Sequence, residues 1–406
     1  MNRRWRPRLK SQKDVSTPEA PQNMYYESVS ARLGILQVVL YLSLFAFVVL
    51  SFLGNTELIT YRNFYYFLKD LNASAETVDV FETDSVSYPT AESQSFALYR
   101  KGLAVAGNDS LTVFTATGRQ TLSQSIQYRN PIAVGSGKYL LVYELGGTQY
   151  SLYNSYTQLY TGKSDYPIFG ATVSESGSYA LISRSAEYHS VVSLYSSNFT
   201  LINRYNRTGY VMGVSLNEKG TRIAILTSAT ENGRFATTLT LHVPREDGDG
   251  VAVKLGDSMG LSCAFSASGG IHVICTDGLR FVDGDGNVRH EYLFAGSEIV
   301  CAELGADGAS VVLRDTPISQ KNQVIVFDKH GDLLYNKEVT ETVTQIAKCE
   351  NGVFLVYHGG IDRLDLKTER ITKCERITEG RRILAVQEDE ILLCSPQKAE
   401  YLRFAS

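Results

Sequence analysis

The sequence predicts an all-β fold, an eight-bladed β-propeller, preceded by one transmembrane helix. Three observations predict it. From residue 95 onward one strand–turn–strand pattern returns eight times. The turn glycines of seven of these units, Gly102, Gly137, Gly177, Gly220, Gly270, Gly308 and Gly352, follow one another at intervals of 35 to 50 residues. Residues 34–53, GILQVVLYLSLFAFVVLSFL, carry no charge.

Residues 1–33 form a basic, Pro-interrupted segment. It is expected to be a disordered cytoplasmic tail lying against anionic lipid. Residues 34–53 follow as the transmembrane helix. At about 1.5 Å per residue the run spans roughly the 30 Å of a bilayer core. It has no polar face of the kind a core helix carries. Lys and Arg set the orientation. Arg3, Arg4, Arg6, Arg8, Lys10, Lys13 and Arg32 precede the span, and only Arg62 and Lys69 occur between 54 and 85. The amino terminus is therefore expected in the cytoplasm and the rest outside it. A cleavable signal peptide fits less well, because the apolar core is too long and residues 51–55, SFLGN, make a poor cleavage site. Residues 54–76 are expected to be a juxtamembrane helix and linker. Leu58, Tyr61, Tyr65 and Leu68 recur at helical spacing, and the helix lies either on the membrane surface or on the following domain.

Residues 77–406 are the extracytoplasmic propeller. Its inner hairpins read SFALYRKGLAVAG from Ser95, IAVGSGKYLLVYE from Ile132, ATVSESGSYALIS from Ala171 and GVSLNEKGTRIAILT from Gly213. The later four start at Cys263, Cys301, Ile346 and Ile383. Outer hairpins recur too, as in residues 111–122, LTVFTATGRQTL, and 323–334, QVIVFDKHGDLL. A four-stranded sheet cannot bury both its faces alone, and a ring of such sheets buries them mutually. The 330 residues give about 41 per blade for eight blades and about 47 for seven, the alternative. The last unit supplies strands near 383–386, 390–394 and 399–404 but no fourth. Residues 77–82, TVDVFE, are expected to complete it and lock the ring.

The pattern resembles WD40-like and quinoprotein-like propellers, on the hairpin from Val326 to Leu334 with its D-x-x-G-x-L core. No Trp follows Trp5, so the Trp-Asp and Trp-docking signatures are missing. The order of basic leader, single span, aromatic segment and propeller resembles an uncharacterised family of membrane-anchored propellers of Gram-positive bacteria. That resemblance implies no activity.

A net charge of −4 leaves no basic footprint, so no nucleic-acid partner is expected. No nucleophile elbow, zinc-protease, P-loop or dinucleotide motif occurs. No catalytic residue, cofactor site or metal site is expected. Residues 283–287, DGDGN, only faintly suggest a calcium loop and fall where a hairpin turn belongs. The six cysteines include Cys263 and Cys275, placed to face each other across one hairpin, with buried thiols as the alternative to a disulfide. The function expected is a non-enzymatic, membrane-anchored protein-binding or scaffolding module whose partner is another envelope or membrane protein. The alternative is a glycan-binding or glycan-cleaving propeller with its site in the central channel, where residues 150–156, YSLYNSY, would stack on sugars.

Overall fold

The structure, a computed structural model, describes residues 33, 36–43, 45–46, 85–246, 248–316, 321–374, 382–387 and 389–404. The chain divides into two units, Met1–Phe67 and Leu68–Ser406. In the first, the described residues are helical. Their large apolar side chains, Leu36, Val38, Val39, Leu40, Tyr41, Leu42 and Phe45, are all exposed. Among the described residues no helix is long and apolar enough to cross a membrane. The rest of the predicted span, the tail before Leu33 and the juxtamembrane stretch 54–76 lie outside the described residues.

The second unit is an eight-bladed propeller. Among the described residues, 32 strands form eight four-stranded antiparallel sheets. Seven blades run in simple sequence order, over 94–125, 131–163, 168–207, 210–256, 260–293, 298–339 and 343–374. The eighth joins Arg382–Gln387, Glu390–Cys394 and Lys398–Arg403 to an outermost strand from the other end of the domain. That closing strand is Ser85–Ser87, not 77–82, which lies outside the described residues. Ser85 pairs with Glu400, Val86 with Ala399 and Ser87 with Lys398. Residues 77–82 have the stronger strand composition. The closure depends instead on two side chains, Val86 and Tyr88, that enter the core.

The packing explains the ring. Eight buried clusters lie one at each interface between neighbouring blades. The second and third strands of a blade are covered on both faces, so they read as apolar runs such as Leu140–Glu144 and Gly308–Arg314. Outermost strands alternate, as Val251–Gly256 does. Cys263, Cys275, Cys349 and Cys394 are buried, and no disulfide joins any of the six cysteines. Cys263 pairs with Val273, and Cys275 with Gly260, so the two do not face each other across their hairpin.

Polar groups link the innermost strands. Ser95 Oγ accepts the Ala133 N–H at 3.1 Å, and Ser215 Oγ the Phe265 N–H at 3.0 Å. Glu303 Oε2 accepts the Lys348 N–H at 2.5 Å, and Gln345 Oε1 the Ile383 N–H at 3.1 Å. In each case a side chain of one blade satisfies a backbone donor of the next, which would otherwise be orphaned beside the channel.

Where the first two blades meet, backbone approaches backbone. A Cβ at Gly135 would stand 2.0 Å from the Leu98 carbonyl oxygen. Gly135→Ala is expected to push the two inner strands apart and cost about 2 kcal/mol, in the range of an overpacked core. Urea denaturation of the variant beside the parent checks this.

Candidate functional site

Among the described residues, the innermost strands hold no pair of carboxylates at glycosidase spacing. Among the described residues, Glu298 and Glu303 are the carboxylates on innermost strands, and both belong to the strand Glu298–Gly305. Five residues of strand separate their backbones by about 16 Å, beyond the spacing of a glycosidase pair. Glu298 pairs with Arg314 at 3.7 Å. Burial pushes the Glu303 carboxyl up to about 7, against the lowering effects of the Lys348 N–H, Arg382 and Lys348.

Nor do the other predicted groups form a reactive centre. Burial pushes the thiols of Cys263, Cys301 and Cys394 up to about 12, so none is a thiolate at neutral pH. Tyr150 and Tyr153, expected to stack on sugars if the channel bound glycans, are buried between the second and third blades and the first and second. They fill core. The DGDGN segment is a hairpin turn. Asp283 Oδ1 accepts the N–H groups of Asp285 at 3.0 Å and Asn287 at 2.8 Å, which holds its carboxyl well below the usual range. Asp328 and Asp365 use the same device in later blades. Among the described residues no group of three or more His, Cys, Asp or Glu is placed to hold a metal ion.

The feature that stands out is on the fourth blade. Its second and third strands, Ile223–Glu231 and Arg234–His242, have nine residues each, against five to seven in the other blades. Asn232 at φ 51° and Gly233 at φ 79° make the two-residue turn between them, in the left-handed conformation such hairpins demand. The neighbouring strands stop short. Tyr210 pairs with Ser228, and Gly256 with Thr237, so residues 229–236 rise past the sheet as a bare ribbon of about 10 Å.

At the base of this ribbon lies a cavity of about 640 Å³, bounded by His189, Tyr210, Met212, Thr230, Phe235 and Met259 among others. That volume is within the range of ligand-binding clefts. The His189 and Tyr210 rings stack with centroids 5.0 Å apart. Beside them the Arg184 guanidinium sits 5.1 Å from the Phe169 ring and 5.8 Å from that of Tyr210. Tyr210 and Phe235, which border the cavity, are 49% and 47% exposed, and Phe169 beside Arg184 is 47% exposed. Isolated exposed apolar groups are ordinary, but a cluster around a concavity marks a contact surface.

The charges there are unevenly paired. Arg234 and Asp257 form an ion pair at 3.2 Å on the third-strand side of the ribbon. On the third blade Arg204 and Asp165 pair at 3.2 Å. Among the described residues no carboxylate pairs with Arg184. No motif in the sequence marks this group, because its members come from different strands and a connection of two blades. Its one signal is the longest glycine interval, from Gly220 to Gly270, which contains the extended hairpin.

A family described as "Family of unknown function (DUF5711)" matches residues 75–404. No curated protein matches the sequence. Among solved structures the chain is similar to Sqt1 of Saccharomyces cerevisiae, with a TM-score of 0.55 and 9% identity, over 79% of this chain and 98% of that one. It is also similar to Chaetomium thermophilum Sqt1 bound to the N-terminus of the ribosomal protein L10, with a TM-score of 0.54 and 13% identity, over 79% and 99%. At these identities the likeness shows the fold alone.

Proposed function

The chain belongs to DUF5711, a family of unknown function, and from that premise we propose that its propeller is a non-enzymatic protein-binding module held outside the cytoplasm by residues 34–53. The observation that carries the binding part is the cavity at the fourth-blade ribbon with the half-exposed rings of Tyr210 and Phe235 on its border. Aromatic and Arg side chains around a pocket are the composition of interface hot spots. The similar fold of Chaetomium thermophilum Sqt1, which binds the N-terminus of another protein, supports the use of such a ring as a peptide platform.

The anchoring part rests on the uncharged run and on the basic excess before it. The consecutive apolar side chains of residues 38–42, exposed on every side of the helix, support it as well. Such a helix gains nothing in water and a great deal in lipid. The partner is then another envelope or membrane protein.

A photo-cross-linking residue placed at Phe235 in living cells tests the binding part. A discrete adduct with one protein is the expected result, and the absence of any adduct there and at Tyr210 overturns the reading. Phe235→Ala is expected to weaken capture of the cross-linked protein about tenfold. Its melting temperature stays within a degree or two of the parent, because the side chain is half exposed. Protease treatment of intact cells tests the anchoring. Loss of a carboxy-terminal epitope is expected, and its protection would place the propeller inside.

A further inference from the structure

The ribbon of the fourth blade has one open side. In a two-residue hairpin the flanking pair, here Glu231 and Arg234, exchanges both backbone hydrogen bonds. The alternation then turns the Thr230 N–H and C=O outward, away from the third strand and past the point where Tyr210 ends its pairing at Ser228. Thr230 borders the cavity. On the opposite side of the ribbon the exposed Arg234–Asp257 ion pair stands at the third strand. An unpaired strand edge is a template for another strand.

The same cavity has a polarity. Just outside one end, beside the Tyr210 ring that borders the cavity, stands Arg184, 5.8 Å from that ring and 5.1 Å from that of Phe169, and among the described residues no carboxylate pairs with it. At the other end stands Glu231, beside the hairpin tip. Between them lie Tyr210, Met212, Phe235 and Met259, an adaptable aromatic and thioether surface. A segment that fits is extended, offers a backbone N–H and C=O to Thr230, carries a carboxylate at the Arg184 end and fills the middle with an apolar side chain. It carries no second acid at the Glu231 end.

We propose that this groove binds an extended acidic–apolar segment of a partner protein, which adds as a short strand to the free edge at Thr230 and sets a carboxylate on Arg184. The proposal deepens the protein-binding reading above and rests on it. It commits to a backbone-read peptide, which that reading does not require.

The test uses the full chain, immobilised and panned against a phage-displayed library of random linear 12-residue peptides. Enriched peptides are expected to share an Asp or Glu within two or three residues of an aromatic or Leu. A synthetic peptide of that kind, measured by fluorescence anisotropy, is expected to bind Arg184→Glu about tenfold more weakly and Arg184→Lys only a few-fold more weakly. Arg204→Glu, on the neighbouring ion pair, leaves its affinity unchanged. Thr230→Pro removes the outward N–H and is expected to cost about tenfold. Because proline also strains the ribbon, the same loss is sought with the parent protein and a peptide N-methylated at each position in turn. Failure to enrich acidic peptides, or affinity indifferent to both Arg184→Glu and N-methylation, overturns strand addition. If adducts at Phe235 persist in that case, the protein-binding reading stands and only this mode of binding falls.

Discussion

Replacing Tyr88 with alanine is expected to remove about 4 kcal/mol of stability, as the loss of a buried aromatic side chain does. Tyr88 follows the closing strand and is buried, with its ring 5.9 Å from Phe96 and 6.4 Å from Phe114. Its hydroxyl donates to the Ser395 carbonyl at 2.7 Å, and its N–H to the Gln397 carbonyl at 3.0 Å. One side chain thus joins the first blade to the last. The three backbone pairs of Ser85–Ser87 are too few to hold the closure unaided. Tyr88→Phe keeps the ring contacts and loses one hydrogen bond, so about 1 kcal/mol is expected. Urea midpoints of the two variants separate packing from hydrogen bonding. Tyr88→Ala should also make the eighth blade the first site of limited proteolysis. A Tyr88→Ala loss no larger than that of Tyr88→Phe would show that the seam is closed by something else.

Stability is expected to peak near pH 6.5, with buried groups working in opposite directions on its two sides. His272 has no exposed surface, and its ring lies 4.9 Å from Phe281. Burial lowers its pKa to about 4, and the Lys348 charge adds to this. The His242 ring lies 4.4 Å from that of Tyr205, tilted by 32°, and its Nε2 lies 2.6 Å from Arg207 Nη2. Burial first and Arg207 second lower it to about 4 as well. Between pH 6.5 and 4 the unfolded chain takes up these protons and the folded chain resists them. Stability therefore falls as the pH drops through that window, by on the order of 3 kcal/mol for each group.

Glu303 has the opposite sign. Its pKa is raised to about 7, so the folded chain holds the proton that the unfolded chain releases above about 4.5. Its contribution is complete below 4.5 and is lost as the pH rises through 7. Glu303→Gln keeps an acceptor for the Lys348 N–H. It is expected to stabilise the protein by roughly 2 kcal/mol at pH 8 and to do nothing at pH 4. His272→Leu should flatten the acid side and leave pH 8 alone. Urea midpoints at pH 4.5, 6.5 and 8 give the signs directly, and a Glu303→Gln gain equal at all three would refute the titration.

Much of the ring is legible because its cause is local. Each blade needs two doubly covered strands, so apolar runs bracket a small-residue turn at every repeat. The strands expected near 383–386, 390–394 and 399–404 correspond to Arg382–Gln387, Glu390–Cys394 and Lys398–Arg403. Even the donated strand is legible as a deficit in the last blade. Its residues are not, because Ser85–Ser87 has little strand propensity and is held by what Val86 and Tyr88 meet far along the chain. The binding face is harder still. Phe169, Arg184, His189, Tyr210 and Phe235 lie in three strands and a connection of two blades, and no spacing in the chain brings them together before the ring does. Tyr150 and Tyr153 illustrate the converse, since tyrosines that look displayed in a Ser-rich run are interior once neighbouring blades cover them.

The hydrogen bond from Tyr88 to Ser395 spans 307 residues. During synthesis the segment that seals the disc leaves the ribosome before any of the wedges it must join, and its docking place is made last. Until then an incomplete disc exposes two raw flanks, the oily side of the first wedge and that of whichever wedge was most recently finished. Maturation thus has a fixed final act. Quality control needs to inspect only one place, because a molecule with that place shut has already assembled everything in between.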